Sequence, residues 1–289
     1  MNAAALNITF GIVSPAGGLE HSDFDAGLNA LERRGFTTKV FPHAREKCGY
    51  LSAPAEIRAA DLSAAWSDDS IDAILCSRGG FGSAHLLPLL DWEQMKKRPL
   101  PLLGYSDITA LHFAMDKFGV GRPITAPMLK NLVEIDDGSL TALLDVLNRH
   151  DHEFRGVASL AGEAHFSGRP LAGNLTVMAS LVGTPYFPDP SGRVLFVEEV
   201  GEPLYRIDRL LTQLEQAGVL RTCAGVVFGS FTGGDFTDAE LRELLFRVVK
   251  TAGKPAVIGF PFGHKLPFRA LDFKATVTVR NGKITQLFT

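Results

Sequence analysis

Cysteine is scarce in this chain. Cys48, Cys76 and Cys223 are the only three in 289 residues. They are far apart, odd in number and never spaced C-x-x-C, which excludes a disulfide framework and a thiolate zinc site. Cys76 and Cys223 lie in or beside apolar, strand-like runs and read as small core residues. Eight histidines are scattered without an H-E-x-x-H or comparable ligand spacing, and only His150 and His152 stand close together, so no metal cofactor is expected. Positive charge is not in excess: 29 Lys and Arg face 32 Asp and Glu, a net charge of −3. A basic surface is thereby excluded, and nucleic acid is not an expected partner. No apolar run approaches the roughly 20 residues that cross a bilayer, so no membrane partner is expected. The first residues, Met1 to Asn7, carry neither a basic segment nor a long apolar stretch. They do not read as a signal peptide, and a cytoplasmic location is expected.

What remains is ordinary globular composition, 46% hydrophobic and 21% charged, enough for one large domain or two moderate ones. In the first half, strand-like and helix-like segments alternate. Strands are predicted at 8–13, 38–41, 71–76 and 101–105, and helices at 24–34, 54–66, 82–90 and 107–118. That spacing predicts βαβ units and a doubly wound, mostly parallel sheet. Such sheets bind ligands outside the carboxyl ends of their strands. After a helix at about 139–148, residues 150–168 are polar and Gly-rich. The reading is therefore an N-terminal α/β domain over 1–150, a linker over 151–170 and a C-terminal domain over 171–289. The second domain is predicted to be mixed α/β and richer in antiparallel strands. Its helices are expected near 207–216, with Leu210, Leu211 and Leu214 inward, and near 241–252. Its tail, 275–287, alternates around Asn281-Gly282, a β-hairpin signal.

Four positions carry candidate chemistry. Gly104-Tyr105-Ser106-Asp107 joins a predicted strand to a predicted helix, the turn at which a serine hydroxyl is aimed out of the backbone. The second glycine of a G-x-S-x-G elbow is missing, and a serine that merely caps the helix fits the same residues. Arg78-Gly79-Gly80-Phe81-Gly82 follows a buried strand and is neither a Walker loop nor G-x-G-x-x-G. Its glycines let backbone come close to a ligand, and Gly80 and Asp107 N–H are the candidate donors to an oxyanion. A plain tight turn fits as well. Glu198 and Glu199 end an apolar strand, where one could orient a catalytic base, or both could be a solvated pair answering Arg206 and Arg209. His264 stands on a loop after a strand, a place that suits function, whereas His112 sits on a helix crowded with core residues. Ser106, a carboxylate and His264 together outline acyl transfer.

In this order the segments resemble the LD-carboxypeptidase family of serine peptidases. The resemblance rests on Ile12 to Gly17, Arg58 to Leu62, Arg78 to Gly82, Gly104 to Asp107, Gly173-Asn174-Leu175, Gly183 to Tyr186, Glu198 to Arg209 and Gly263-His264. It implies a Ser106, His264, Glu198 triad split across two domains, with Glu199 as the alternative acid. It further implies removal of the terminal D-alanine from murein tetrapeptide in cytoplasmic cell-wall recycling, without metal or other cofactor, by a homodimer. The chain departs from the family pattern at Thr125-Ala126-Pro127, where His-Gly-Pro is common, and at Arg269, where a glycine is expected. A branch of the family that cleaves aminoacyl adenylates such as processed microcin C is the alternative. Its members tend to carry an extra aromatic-bearing loop, whereas this chain has only Trp66 and Trp92. A non-catalytic small-molecule-binding α/β protein is the alternative from another class.

Overall fold

A computed structural model describes residues 8–288. Met1 to Asn7, read above for the absence of a leader, lie outside the described residues. Backbone contacts divide the chain into two compact units, one ending at Ile135 and one beginning at Asp136.

The first unit is built on five parallel strands. They are β1 (Thr9–Val13), β2 (Thr37–Val40), β3 (Ala73–Cys76), β4 (Pro101–Gly104) and β5 (Arg122–Thr125), in the order β2-β1-β3-β4-β5. Helices α1 (His21–Glu32), α2 (Ala55–Trp66), α3 (Trp92–Met95) and α4 (Thr109–Phe118) connect them. β3 and β4 are buried throughout, as strands covered on both faces must be. Ile12, Ile74, Leu102, Leu103 and Phe113 form the centre of this core. The order reverses between β1 and β3, and the loops leaving β1 and β3 flank that switch point. The helix expected at 82–90 shrinks to one tight turn over Ser83–Leu86. Gly82, at φ 110, and Pro88 bracket it.

The second unit begins with α5 (Asp137–Leu147), whose N-terminus is capped by the Asp136 carboxylate accepting from Ser139 N–H at 2.9 Å. The stretch expected to be a linker is not one. It forms β6 (His152–Arg155), β7 (Ala158–Ala161) and β8 (His165–Gly168). These are four-residue, half-exposed strands, too short for their alternation to read as anything but loop. There follow β9 (Pro170–Asn174), α6 (Leu175–Leu181), β10 (Val194–Val200), α7 (Leu204–Gln216), α8 (Val219–Thr222), β11 (Gly225–Thr232), α9 (Asp238–Ala252), β12 (Ala256–Ile258), the short β13 (Leu271–Asp272), β14 (Thr276–Arg280) and β15 (Lys283–Leu287).

Parallel strands β9, β10, β11 and β12 make one sheet, edged by antiparallel β7. A second, wholly antiparallel sheet runs β6-β15-β14-β8. The expected hairpin joins β14 to β15, with Asn281 and Gly282 both at positive φ, 52° and 74°, as a two-residue turn of that hand needs. On α7 the inward stripe is Ile207, Leu211 and Leu214 rather than Leu210, which stays partly exposed. Spacing of four and three residues keeps that stripe on one face. α9 carries a full capping box, Thr237 with Glu240, and ends at Gly253. Among the described residues no helix is long and apolar enough to cross a membrane.

Candidate active site

In the first unit the chain leaves β4 through Gly104 and Tyr105 and turns at Ser106. Ser106 has φ 62, the left-handed region that costs a residue with a Cβ on the order of 1–2 kcal/mol. Arg149 and Asn281 are the other non-glycine residues at positive φ among those described. The cap reading does not hold. The tight turn at 106–108 is preceded by Tyr105 and α4 by Ile108, and neither end is closed by a side-chain cap bond. The absent second glycine also has a reason. A Cβ on Gly104 would lie 2.9 Å from both γ carbons of Ile108, so the bare first glycine makes the room that Ile108 fills.

The loop after β3 closes on this elbow. A Cβ on Gly79 would stand 2.9 Å from Ser106 Cβ, 3.0 Å from its Oγ and 3.2 Å from Asp107 N, so only glycine fits. Gly80 follows at φ 112 and is exposed. Among the described residues neither Gly80 N–H nor Asp107 N–H donates to a protein acceptor. Two unengaged amides beside a hydroxyl are what an oxyanion requires.

Buried groups outside the expected set hold the loop. Ser83 N–H donates to Asp107 Oδ2 at 2.8 Å, and Ser83 Oγ donates to Asp107 O at 2.5 Å. Arg58, buried, gives Nε to Ala53 O at 2.8 Å and Nη1 to Pro15 O and Gly82 O at 2.6 and 2.8 Å. Gly17 N–H donates to Gly79 O at 3.1 Å. Burial pushes the Asp107 carboxyl above the ordinary carboxylate range, opposed by the Ser83 hydrogen bonds and by Arg58. His112 is fully buried on α4, with Nε2 3.1 Å from Leu102 O, and belongs to the core.

In the second unit both glutamates at the end of β10 are buried, Glu198 completely, which rules out a solvated pair. Neighbouring strand residues point to opposite faces, so the two acids do different work. Glu199 Oε1 accepts from Asn174 Nδ2 and Val200 N, each at 2.8 Å. Its Oε2 accepts from Thr176 N at 2.8 Å and Thr176 Oγ1 at 2.7 Å. That carboxylate closes the N-terminus of α6 together with the Asn174 cap.

Glu198 Oε2 meets His264 Nδ1 at 2.7 Å. A carboxylate at Nδ1 favours the tautomer that carries its proton there. Burial raises the Glu198 carboxyl, and the hydrogen bond from His264 opposes it.

The His264 loop is held by an irregularity in β11. Val197 of β10 pairs with Phe228, but Glu199 pairs with Phe231, so β11 gains a residue there. Freed from the ladder, Ser230 N–H donates to Phe262 O at 2.8 Å. Next to it Gly263, at φ 118, lies so close to Glu198 that a Cβ would fall 2.7 Å from Oε2.

Cys76 and Cys223 are buried, as expected, and burial pushes the Cys223 thiol up to about 11. Among the described residues no group of His, Cys, Asp and Glu could hold a metal ion.

Residues 10–122 match the LD-carboxypeptidase N-terminal domain and residues 167–279 the LD-carboxypeptidase C-terminal domain. The murein tetrapeptide carboxypeptidase of Pseudomonas aeruginosa is 32% identical, covering 89% of this chain and 86% of its own. A solved muramoyltetrapeptide carboxypeptidase from Oxalobacter formigenes is 26% identical with a TM-score of 0.88, covering 96% and 97% of the two chains. The microcin self-immunity protein MccF, solved with glutamyl sulfamoyl guanosine, has the same fold at 21% identity, TM-score 0.90, covering 99% and 97%. The chain belongs to the LD-carboxypeptidase family.

Proposed function

We propose that this protein is a serine LD-carboxypeptidase that removes the terminal D-alanine from murein tetrapeptide. The observation that carries the proposal is Ser106 held at positive φ against Gly79, with two unengaged amides beside it. Strain kept at a polar residue of this kind marks a functional site more often than a structural one.

In the proposed reaction Ser106 Oγ attacks the carbonyl carbon of the bond between the L-centre of diaminopimelate and D-alanine. His264 Nε2 takes the hydroxyl proton, and Glu198 holds the ring in the required tautomer and stabilises its positive charge. The tetrahedral oxyanion accepts from Gly80 and Asp107 N–H. Collapse of the intermediate breaks the C–N bond, and His264 returns the proton to the departing amine of D-alanine. Water then attacks the acyl-enzyme with His264 again as base, releasing the tripeptide and regenerating Ser106. Cytoplasmic cell-wall recycling and a homodimeric state complete the proposal, on the strength of the family resemblance.

The test offers purified protein L-Ala-γ-D-Glu-meso-diaminopimelate-D-Ala and, separately, an aminoacyl adenylate. Release of D-alanine from the first supports the proposal. Hydrolysis of the adenylate alone would move the activity to the other branch of the family, and inertness toward both would leave a binding protein.

A further inference from the structure

Among the described residues Arg78 and Lys130, two cations of the first unit, form no ion pair. Arg78 stands on the loop after β3 and Lys130 just beyond β5, and the Lys130 backbone N–H donates to Ser77 O at 3.1 Å, which sets the two residues side by side. The Arg78 guanidinium is engaged only through Nη1, donating to Gly18 O at a long 3.3 Å. Its Nε is buried with no acceptor. Nε and Nη2 make the edge of a guanidinium that grips a carboxylate with two parallel hydrogen bonds, and here that edge is unused. Lys130 is exposed, and its ammonium is held below the ordinary lysine range by desolvation and then by the Arg78 charge, with Asp23 pulling the other way.

Like charges kept together without an anion repel, and an anion placed between them relieves both. Their location says which anion. Gly79, next to Arg78 in the chain, is the residue whose Cβ position lies 3.0 Å from Ser106 Oγ, and the Cβ position of Gly80 lies 3.7 Å from Arg78 Nη2. Arg78 is thus the chain neighbour of the residue that touches the nucleophile, and its guanidinium lies against Gly17, Gly18 and Gly80 of the same loop region. In any carboxypeptidase substrate a carboxylate lies three bonds beyond the scissile carbonyl carbon, on the leaving residue.

We infer that Arg78, with Lys130 in support, binds the free α-carboxylate of the leaving D-alanine and so makes this enzyme a carboxypeptidase rather than an endopeptidase. The inference rests on the reaction proposed above.

The experiment measures kcat/KM for three tetrapeptides: the free acid, the form ending in D-alaninamide, and the form whose D-Glu α-carboxylate is amidated. Wild type, Arg78→Met and Lys130→Met are compared. Hydrogen bonds to a charged group set the scale, about 100-fold for Arg78 and about 10-fold for the exposed lysine. The free acid should lose that much in each variant while the terminal amide, already poor in wild type, changes by less than about 3-fold. The form amidated at D-Glu should lose as much as the free acid. Equal losses on all three substrates in a folded variant would overturn the inference. So would losses spared only by amidating D-Glu, which would place that carboxylate on Arg78 instead. Should Arg78→Met fail to fold, Lys130→Met at its exposed position decides alone. D-Alanine released by wild type with undiminished preference in the variants sinks the inference and leaves the reaction standing. No D-alanine release by wild type sinks both.

Discussion

Glu198 and Glu199 are adjacent, buried and chemically identical, yet they are expected to fail in opposite ways when each becomes glutamine. Glu199→Gln keeps one oxygen and replaces the other by an NH2 group. That group must face either the Asn174 and Val200 donors or the two Thr176 donors, each now within 2.8 Å of an oxygen. One or two hydrogen bonds disappear and the others lose the carboxylate's charge. At about 1.5–3 kcal/mol for each bond to a charged group, the loss of stability is about 3 kcal/mol or more. Catalysis by the folded fraction should stay within a few-fold of wild type.

Glu198→Gln behaves in reverse. Its carboxylate is fully buried and raised in pKa by that burial, so replacing it with a neutral amide costs about 1 kcal/mol or less. The amide, however, can donate to His264 Nδ1 and so move the ring proton to Nε2, where the base is needed. Loss of the correct tautomer lowers kcat by about 10⁴-fold, or about 5 kcal/mol at 1.36 per decade. Urea unfolding followed by circular dichroism reads the first variant, and D-alanine release by a coupled oxidase reads the second. A Glu199→Gln enzyme that is stable and dead, beside a Glu198→Gln enzyme that is active, would refute the assignment of these acids.

Gly79→Ala should leave a folded protein with kcat reduced about 100-fold or more, because its methyl must push Ser106 Oγ or Asp107 N by several tenths of an ångström from positions 3.0 and 3.2 Å away. Wild-type kcat in a folded Gly79→Ala protein would contradict the close approach. Burial lowers the His112 pKa from 6.5 to about 4. The unfolded chain therefore binds a proton first, and stability present above pH 6.5 is lost as pH falls toward 4. Between pH 7 and 5 the loss from this group is about 2 kcal/mol, and His112→Gln should flatten the urea-unfolding profile over that window by the same amount. An unchanged slope in that variant would assign the pH dependence elsewhere.

The alternating architecture of the first unit was legible because β3 and β4 are short, wholly apolar runs bounded by glycine, proline and polar residues. The hairpin was legible because Asn281-Gly282 has the backbone preference its turn demands. The stretch 151–170 was not, since half-exposed strands such as His152-Glu153-Phe154-Arg155 owe their shape to partners far along the chain, β15 for this one. Ser106 in the first unit, and Glu198 and His264 in the second, stood out by residue type and position at strand ends. What single residues could not reveal was how they are held. The elbow works with one glycine because Ile108 fills the space above Gly104, a contact between two positions that only the turn brings together. The buried state of Glu198 and Glu199 was illegible because an acidic pair at a strand end looks solvated until Asn174, Thr176 and His264 arrive around it. The same holds for Ser83, an unremarkable residue in the sequence whose two bonds to Asp107 fix the glycine loop to the elbow.

Whether Ser106 is the nucleophile of a carboxypeptidase is read by D-alanine release from murein tetrapeptide by wild type and Ser106→Ala at equal, verified folding. Wild type should release D-alanine, and kcat should fall by about 10⁴-fold or more in the variant, as removal of a catalytic nucleophile brings. Release by Ser106→Ala at a rate near that of wild type would contradict that role.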